Sequence, residues 1–339
     1  MKESTYGTAE NQKPQIDRTA EYTGGTVDYS VIEGSSRHNP VLIVPGFTGG
    51  RVALGGFAHE LNYEGDREVI YSNQPVLDKQ AKNELSIIDH HAQAILSIIK
   101  NEGLEDSPVD FVTHSMGAIT AVRAAELAKF QGIRSFDSSQ GSHAVFIAPA
   151  GSNDKENVFY LSGRWLKFIT KDTFYKGQLD PTGEMSRAGV KNFWNDPSKT
   201  AKEIWELRKK AENSRGNTTK TDKEIRESRK KIDIYNYLGE WGLKPFVLGF
   251  ASDSMYPDKV VGKVLENAGE SLSGYAVPVD SGGIGAANVL DFWKKSGNRP
   301  RHIIRTKKAW AHHYRNANHA DLQYHPERSV KAILQHLDR

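Results

Sequence analysis

Residues 109–130 read VDFVTHSMGAITAVRAAELAKF. The stretch opens like a buried strand, with Val109, Phe111 and Val112 around a polar Asp110. It closes like a helix, with Ile119, Val122 and Leu127 on one side. Between the halves stand only Thr113-His114-Ser115-Met116-Gly117, with no run of loop residues. A strand that passes directly into a helix must turn sharply, and the crowding at such a turn demands small residues two places either side of its tip. Gly117, with Ala118 beside it, meets the demand after Ser115; Thr113, larger and β-branched, stands where glycine is usual. A turn of this kind holds its serine in a strained backbone conformation and projects Oγ beyond the sheet edge. It also aims the N–H of the next residue and the helix N-terminus at the same space.

Outward from this stretch the pattern is strand, helix, strand. Residues 26–34 (TVDYSVIEG) alternate as a strand, and 39–47 (NPVLIVPGF) form a continuous apolar run ended by Pro45-Gly46. A short strand follows in 67–73. Leu85, Ile88, Ala92, Ile95 and Ile99 then recur at helical spacing, with Gly103 placed as the C-cap. Residues 142–151 (SHAVFIAPAG) make another apolar strand. Nearly wholly apolar strands alternating with helices predict an α/β fold, with a mostly parallel central sheet covered by helices on both faces.

The alternation stops at about Gly151. Residues 151–242 read as a largely helical insertion, with amphipathic segments such as 164–175 and a charged one over 201–238. The sheet pattern resumes in 244–253 (KPFVLGFASD), followed by a helix over 258–269 and a Gly-rich stretch, 271–298, of no assigned structure. A strand is expected in 301–310 and a closing helix from Pro326. The expected division is thus a mobile tail over 1–21, a core over 22–150, a helical cap over 151–242 and the second part of the core over 243–339.

Composition bounds the function. The chain has 339 residues, 37% of them hydrophobic, and a formal charge of +3, too little over this length to imply a nucleic-acid partner. The mean hydropathy is -0.59, and no run of about 18 apolar residues occurs, so no membrane-spanning helix is expected. The first residues show no secretory signal, which sets the expectation of a cytoplasmic protein. With no cysteine, thiolate catalysis and disulfides are ruled out, and the scattered histidines show no metal-binding spacing.

A serine hydroxyl is a weak nucleophile at neutral pH. It needs a base within hydrogen-bond reach, an orienting partner for that base, and N–H donors for the oxyanion formed on attack at a carbonyl. Taken with VLIVPGFTGG (41–50), the turn at Ser115 resembles the α/β-hydrolase superfamily, in its serine esterase and lipase branch with a helical cap insertion. The resemblance covers about residues 22–150 and 243–339. It implies Ser115 as nucleophile, Asp253 at the end of a later strand as the acid, and His319 before the last helix as the base. Asp258 is the competing acid, although a helix N-cap is the more natural role there. His312, His313 and His325 compete with His319 less well by position.

The resemblance also implies an oxyanion hole built from the backbone N–H groups of Phe47 and Met116. Pro45 departs from the histidine often found two places before the donor, which a backbone donor tolerates. No cofactor is implied. The expected partner is a small-molecule ester with an apolar acyl or alcohol group, roofed by cap aromatics such as Trp165, Phe168 and Trp205. The same triad could act on a lactone, amide, thioester or carbon–carbon bond, and the fold could also serve as a catalytically silent binding module.

Overall fold

The computed structural model describes residues 13–46, 50–77, 87–150, 234–249, 271–276, 322 and 326–338. The strands are β1 (Gln15–Tyr22), β2 (Gly25–Ile32), β3 (Val41–Val44), β4 (Val69–Ser72), β5 (Val76–Leu77), β6 (Asp110–His114), β7 (Ala144–Ile147), β8 (Pro245–Leu248) and β9 (Gly274–Ala276). The helices are α1 (Arg51–Gly65), α2 (Ile87–Asn101), α3 (Gly117–Gln131) and, as the last described element, α4 (Pro326–Leu337).

The strands form one nine-stranded sheet in the order β1-β2-β4-β3-β6-β7-β8-β9, with β5 beside β2. From β4 to β9 every neighbouring pair is parallel; β2 runs antiparallel to β1, β4 and β5. The parallel strands are short and buried on both faces, which is why they read as continuous apolar runs. Side chains alternate across the sheet. Leu42, Val44, Phe111, Phe146 and Val247 enter one core with α2 and α3, while Ile43, Val112, Ile147 and Phe246 enter the other with α1 and α4. Small residues of α3 (Ala118, Ala121, Ala125) let that helix lie close on the sheet.

The predicted mostly parallel sheet with helices on both faces is observed, and α2 ends at a left-handed Gly103 whose N–H bonds the Lys100 carbonyl at 3.1 Å. The N-terminal tail requires correction, because its last residues form β1. That strand is exposed along most of both faces and is held by its ladder to β2, so no apolar period betrays it. β9 falls at the start of the Gly-rich stretch that had no assigned structure. The short 3-10 turn Ile234–Tyr237 lies within the range given to the insertion, yet Tyr235 and Leu238 are part of the core beside α3 and β7. Most of the predicted cap (151–233), the helix expected over 258–269 and the strand expected over 301–310 lie outside the described residues.

Candidate active site

The chain winds from β3 through α1 to β4 on one side, then returns through α2 to β6 on the other side of β3. At that reversal the helices that follow β3 and β6 pack on opposite faces of the sheet, so the carboxyl ends of the two strands form a switch point of the kind where open α/β sheets bind ligands. Ser115 stands there, one residue past the end of β6 and two before the start of α3.

The local chain forces the serine into an unusual conformation. Ser115 has φ 56, the left-handed region that costs a residue with a Cβ about 1–3 kcal/mol. The neighbouring structure holds it there. The Ser115 N–H donates to the Ile147 carbonyl at 3.0 Å, and the Ser115 carbonyl accepts from Ala118 N at 3.2 Å and Ala150 N at 3.0 Å. Ala150 is fixed in turn, because the buried Tyr235 hydroxyl donates to its carbonyl. Met116 starts the helix with ordinary right-handed angles, and its carbonyl accepts from Thr120 N at 3.2 Å. Among the described residues no carbonyl accepts from the Met116 N–H.

The turn after β3 closes against this tip. A Cβ added to Gly46 would lie 2.9 Å from Ser115 Cβ and 3.0 Å from the His114 carbonyl; one added to Gly117 would strike the Val44 carbonyl oxygen, with that of Pro45 at 2.9 Å. Both glycines are therefore demanded by close backbone approach. Ser115 is 6% exposed and Met116 3%, so charge at this point is poorly screened by water. His114 is buried with its ring against the Gly46 position, within the β3–β6 seam.

Two residues beyond β4 brace the same loop, and sequence reasoning passed over both. Asn73 Oδ1 accepts from Arg51 N at the start of α1 (3.0 Å), and Gln74 Nε2 donates to the Gly46 carbonyl at 2.6 Å. These contacts grip the loop on either side of residues 47–49. A run of amide side chains directly after an apolar strand was the available signal. Of the predicted site residues, Ser115 and Met116 occupy the strand-to-helix turn as expected. Phe47, Asp253, His319 and the competing Asp258 lie outside the described residues, so their distances to Ser115 are not part of this geometry.

Comparison with solved structures defines the fold. An esterase from Thermogutta terrifontis is 14% identical, with 96% of this chain and 98% of that one covered and a TM-score of 0.52. A bromoperoxidase from Bacillus anthracis is 12% identical over 96% of this chain and 100% of its own, with a TM-score of 0.52. A proline iminopeptidase-related protein from Thermus thermophilus is 13% identical over 96% and 98%, with a TM-score of 0.51. No family model matches the sequence, and no curated protein matches it. The chain has the α/β-hydrolase fold.

Proposed function

We propose that the protein is a serine hydrolase that cleaves carboxylic esters through an acyl-enzyme. The observation that carries this reading is the strained Ser115, held at the switch point of the sheet beside an N–H donor without an acceptor among the described residues. In the reaction Ser115 Oγ bonds to the substrate carbonyl carbon while its proton passes to His319. The carbonyl π pair becomes an oxyanion facing the Met116 and Phe47 N–H groups. Collapse expels the alcohol, which takes the proton from His319, and water repeats the sequence to release the acid. Asp253 orients the imidazole and stabilises its charged form.

Chain tethers support the two distant assignments. Asp253 follows Leu248, the last residue of β8, by five residues, a reach of about 17 Å. β8 lies two strands from β6 in a parallel register, about 10 Å away, so the end of β8 shares the edge that carries Ser115. His319 precedes by three residues Leu322, whose buried side chain joins the core formed by α1, β7 and β8. The likeness to an esterase favours an ester as the scissile bond.

Labelling with a fluorophosphonate probe tests the nucleophile. Wild-type protein is expected to label and to hydrolyse p-nitrophenyl butyrate, and Ser115→Ala is expected to lose both, with activity down by at least about 10³. Ester hydrolysis that survives Ser115→Ala would overturn the assignment. Comparing Asp253→Asn with Asp258→Asn decides the acid.

A further inference from the structure

We propose that Gln74 is a positioning residue for the oxyanion hole, setting the direction of the donor that follows Gly46; the inference rests on Ser115 being the nucleophile. The Gln74 side-chain amide donates to the Gly46 carbonyl at 2.6 Å, across 28 residues of sequence. That carbonyl belongs to the peptide unit whose N–H is supplied by Phe47. A peptide unit is planar and trans, so its C=O and N–H point in opposite directions. Fixing the carbonyl oxygen on one side therefore fixes the line along which the N–H is presented on the other.

The Gly46 backbone is where such control matters. It lies so close to the strained serine that a Cβ there would come within 2.9 Å of Ser115 Cβ. No side chain at position 46 can brace this peptide, because the close approach excludes one. The brace has to come from a neighbouring element, and β4, adjacent to β3 and parallel to it, ends beside the loop. The next residue back repeats the device at the other end, where Asn73 Oδ1 accepts from Arg51 N and sets the start of α1. Asn73 and Gln74 together fix the chain on either side of residues 47–49. Without the donor at position 74, the Gly46–Phe47 peptide is free to rotate, which would turn a carbonyl oxygen toward the space the oxyanion needs.

Gln74→Met keeps length and volume but removes the donor, and Gln74→Glu replaces the donor with an acceptor that repels the Gly46 carbonyl. With p-nitrophenyl butyrate, Gln74→Met is expected to lower kcat about tenfold with KM nearly unchanged, and Gln74→Glu to lower it more. These losses are smaller than the about 10²–10³ that follows outright removal of an oxyanion donor. Fluorophosphonate labelling of Ser115 should slow in the same order, because the phosphonyl oxygen occupies the same donors. A thermal melt of each variant within a few degrees of wild type separates misplacement of the donor from failure to fold. If Gln74→Met retains wild-type kcat and labelling rate while Ser115→Ala is inactive, the positioning role is overturned and the nucleophile stands. If Ser115→Ala retains activity, the underlying reading fails instead. A loss confined to KM in both Gln74 variants would also overturn the role.

Discussion

Ser115 keeps a left-handed backbone because three carbonyl and N–H contacts, to Ile147, Ala118 and Ala150, outweigh the strain of one residue. The arrangement works only while the turn after β3 can touch the start of α3 directly. Gly117→Ala would press a methyl onto the Val44 carbonyl, and neither backbone can yield without shifting the serine. We expect a stability loss of about 1–3 kcal/mol, read from urea unfolding, together with a fall in fluorophosphonate labelling larger than the stability loss explains. Ser115 and Gly117 were legible in the sequence because a strand period meets a helix period there with nothing between. Gln74 was not, since the amide pair after β4 acquires its meaning only when the fold brings it to Gly46.

At the scale of elements, strands β2, β3, β4, β6, β7 and β8 announced themselves through apolar or alternating runs. β1 did not, because polar strands held by one ladder leave no hydropathy signal, and β9 was hidden among glycines. The sheet's antiparallel margin carries charges that the apolar pattern also conceals. Arg18 pairs with Glu102, and the Tyr29 hydroxyl donates to the same carboxylate. Glu68, just before β4, lies near this group, and burial first, then the Glu102 charge, raises its carboxyl above the usual range. Below the ordinary carboxylate range the group is protonated in folded and unfolded chains alike and costs nothing. As the pH rises toward the raised folded value, the unfolded chain ionises first and the native state loses stability. Glu68→Gln should therefore match wild type in urea midpoint near pH 4 and exceed it near pH 7.5. An equal difference at both pH values would contradict the buried-carboxylate account.

Across the whole molecule, the amino end of the sheet is locked by one buried ion pair. Arg67 and Asp110, 3% and 0% exposed, meet at 2.7 Å; Asp110 also accepts from Asn39 Nδ2 (3.1 Å) and His143 N (2.9 Å), and Arg67 donates to the Leu337 carbonyl (3.0 Å) and Asp338 (2.8 Å). The polar residue that interrupted the strand pattern at 110 is thus the counter-charge for an arginine reached only through the fold. Asp110→Asn leaves the buried guanidinium with only the half-exposed Asp338 as counter-charge and should cost about 3–5 kcal/mol by denaturant unfolding. Asp338→Ala removes a half-exposed partner and should cost under about 1 kcal/mol. Similar losses for the two would refute the distinction.

Helix α4 has a bearing on synthesis as well as on the finished molecule. Its Val330, Ile333, Leu334 and Leu337 cover the face of α1 that carries Leu54, Phe57 and Leu61. A ribosome delivers α1 more than 250 residues before the helix that shelters it (Arg67 to Leu337 alone is a separation of 270). For that interval the emerging polypeptide displays a greasy stripe beside a sheet it has already begun to build. Cellular holding factors would find their natural grip on that stripe, and interrupted translation products should precipitate.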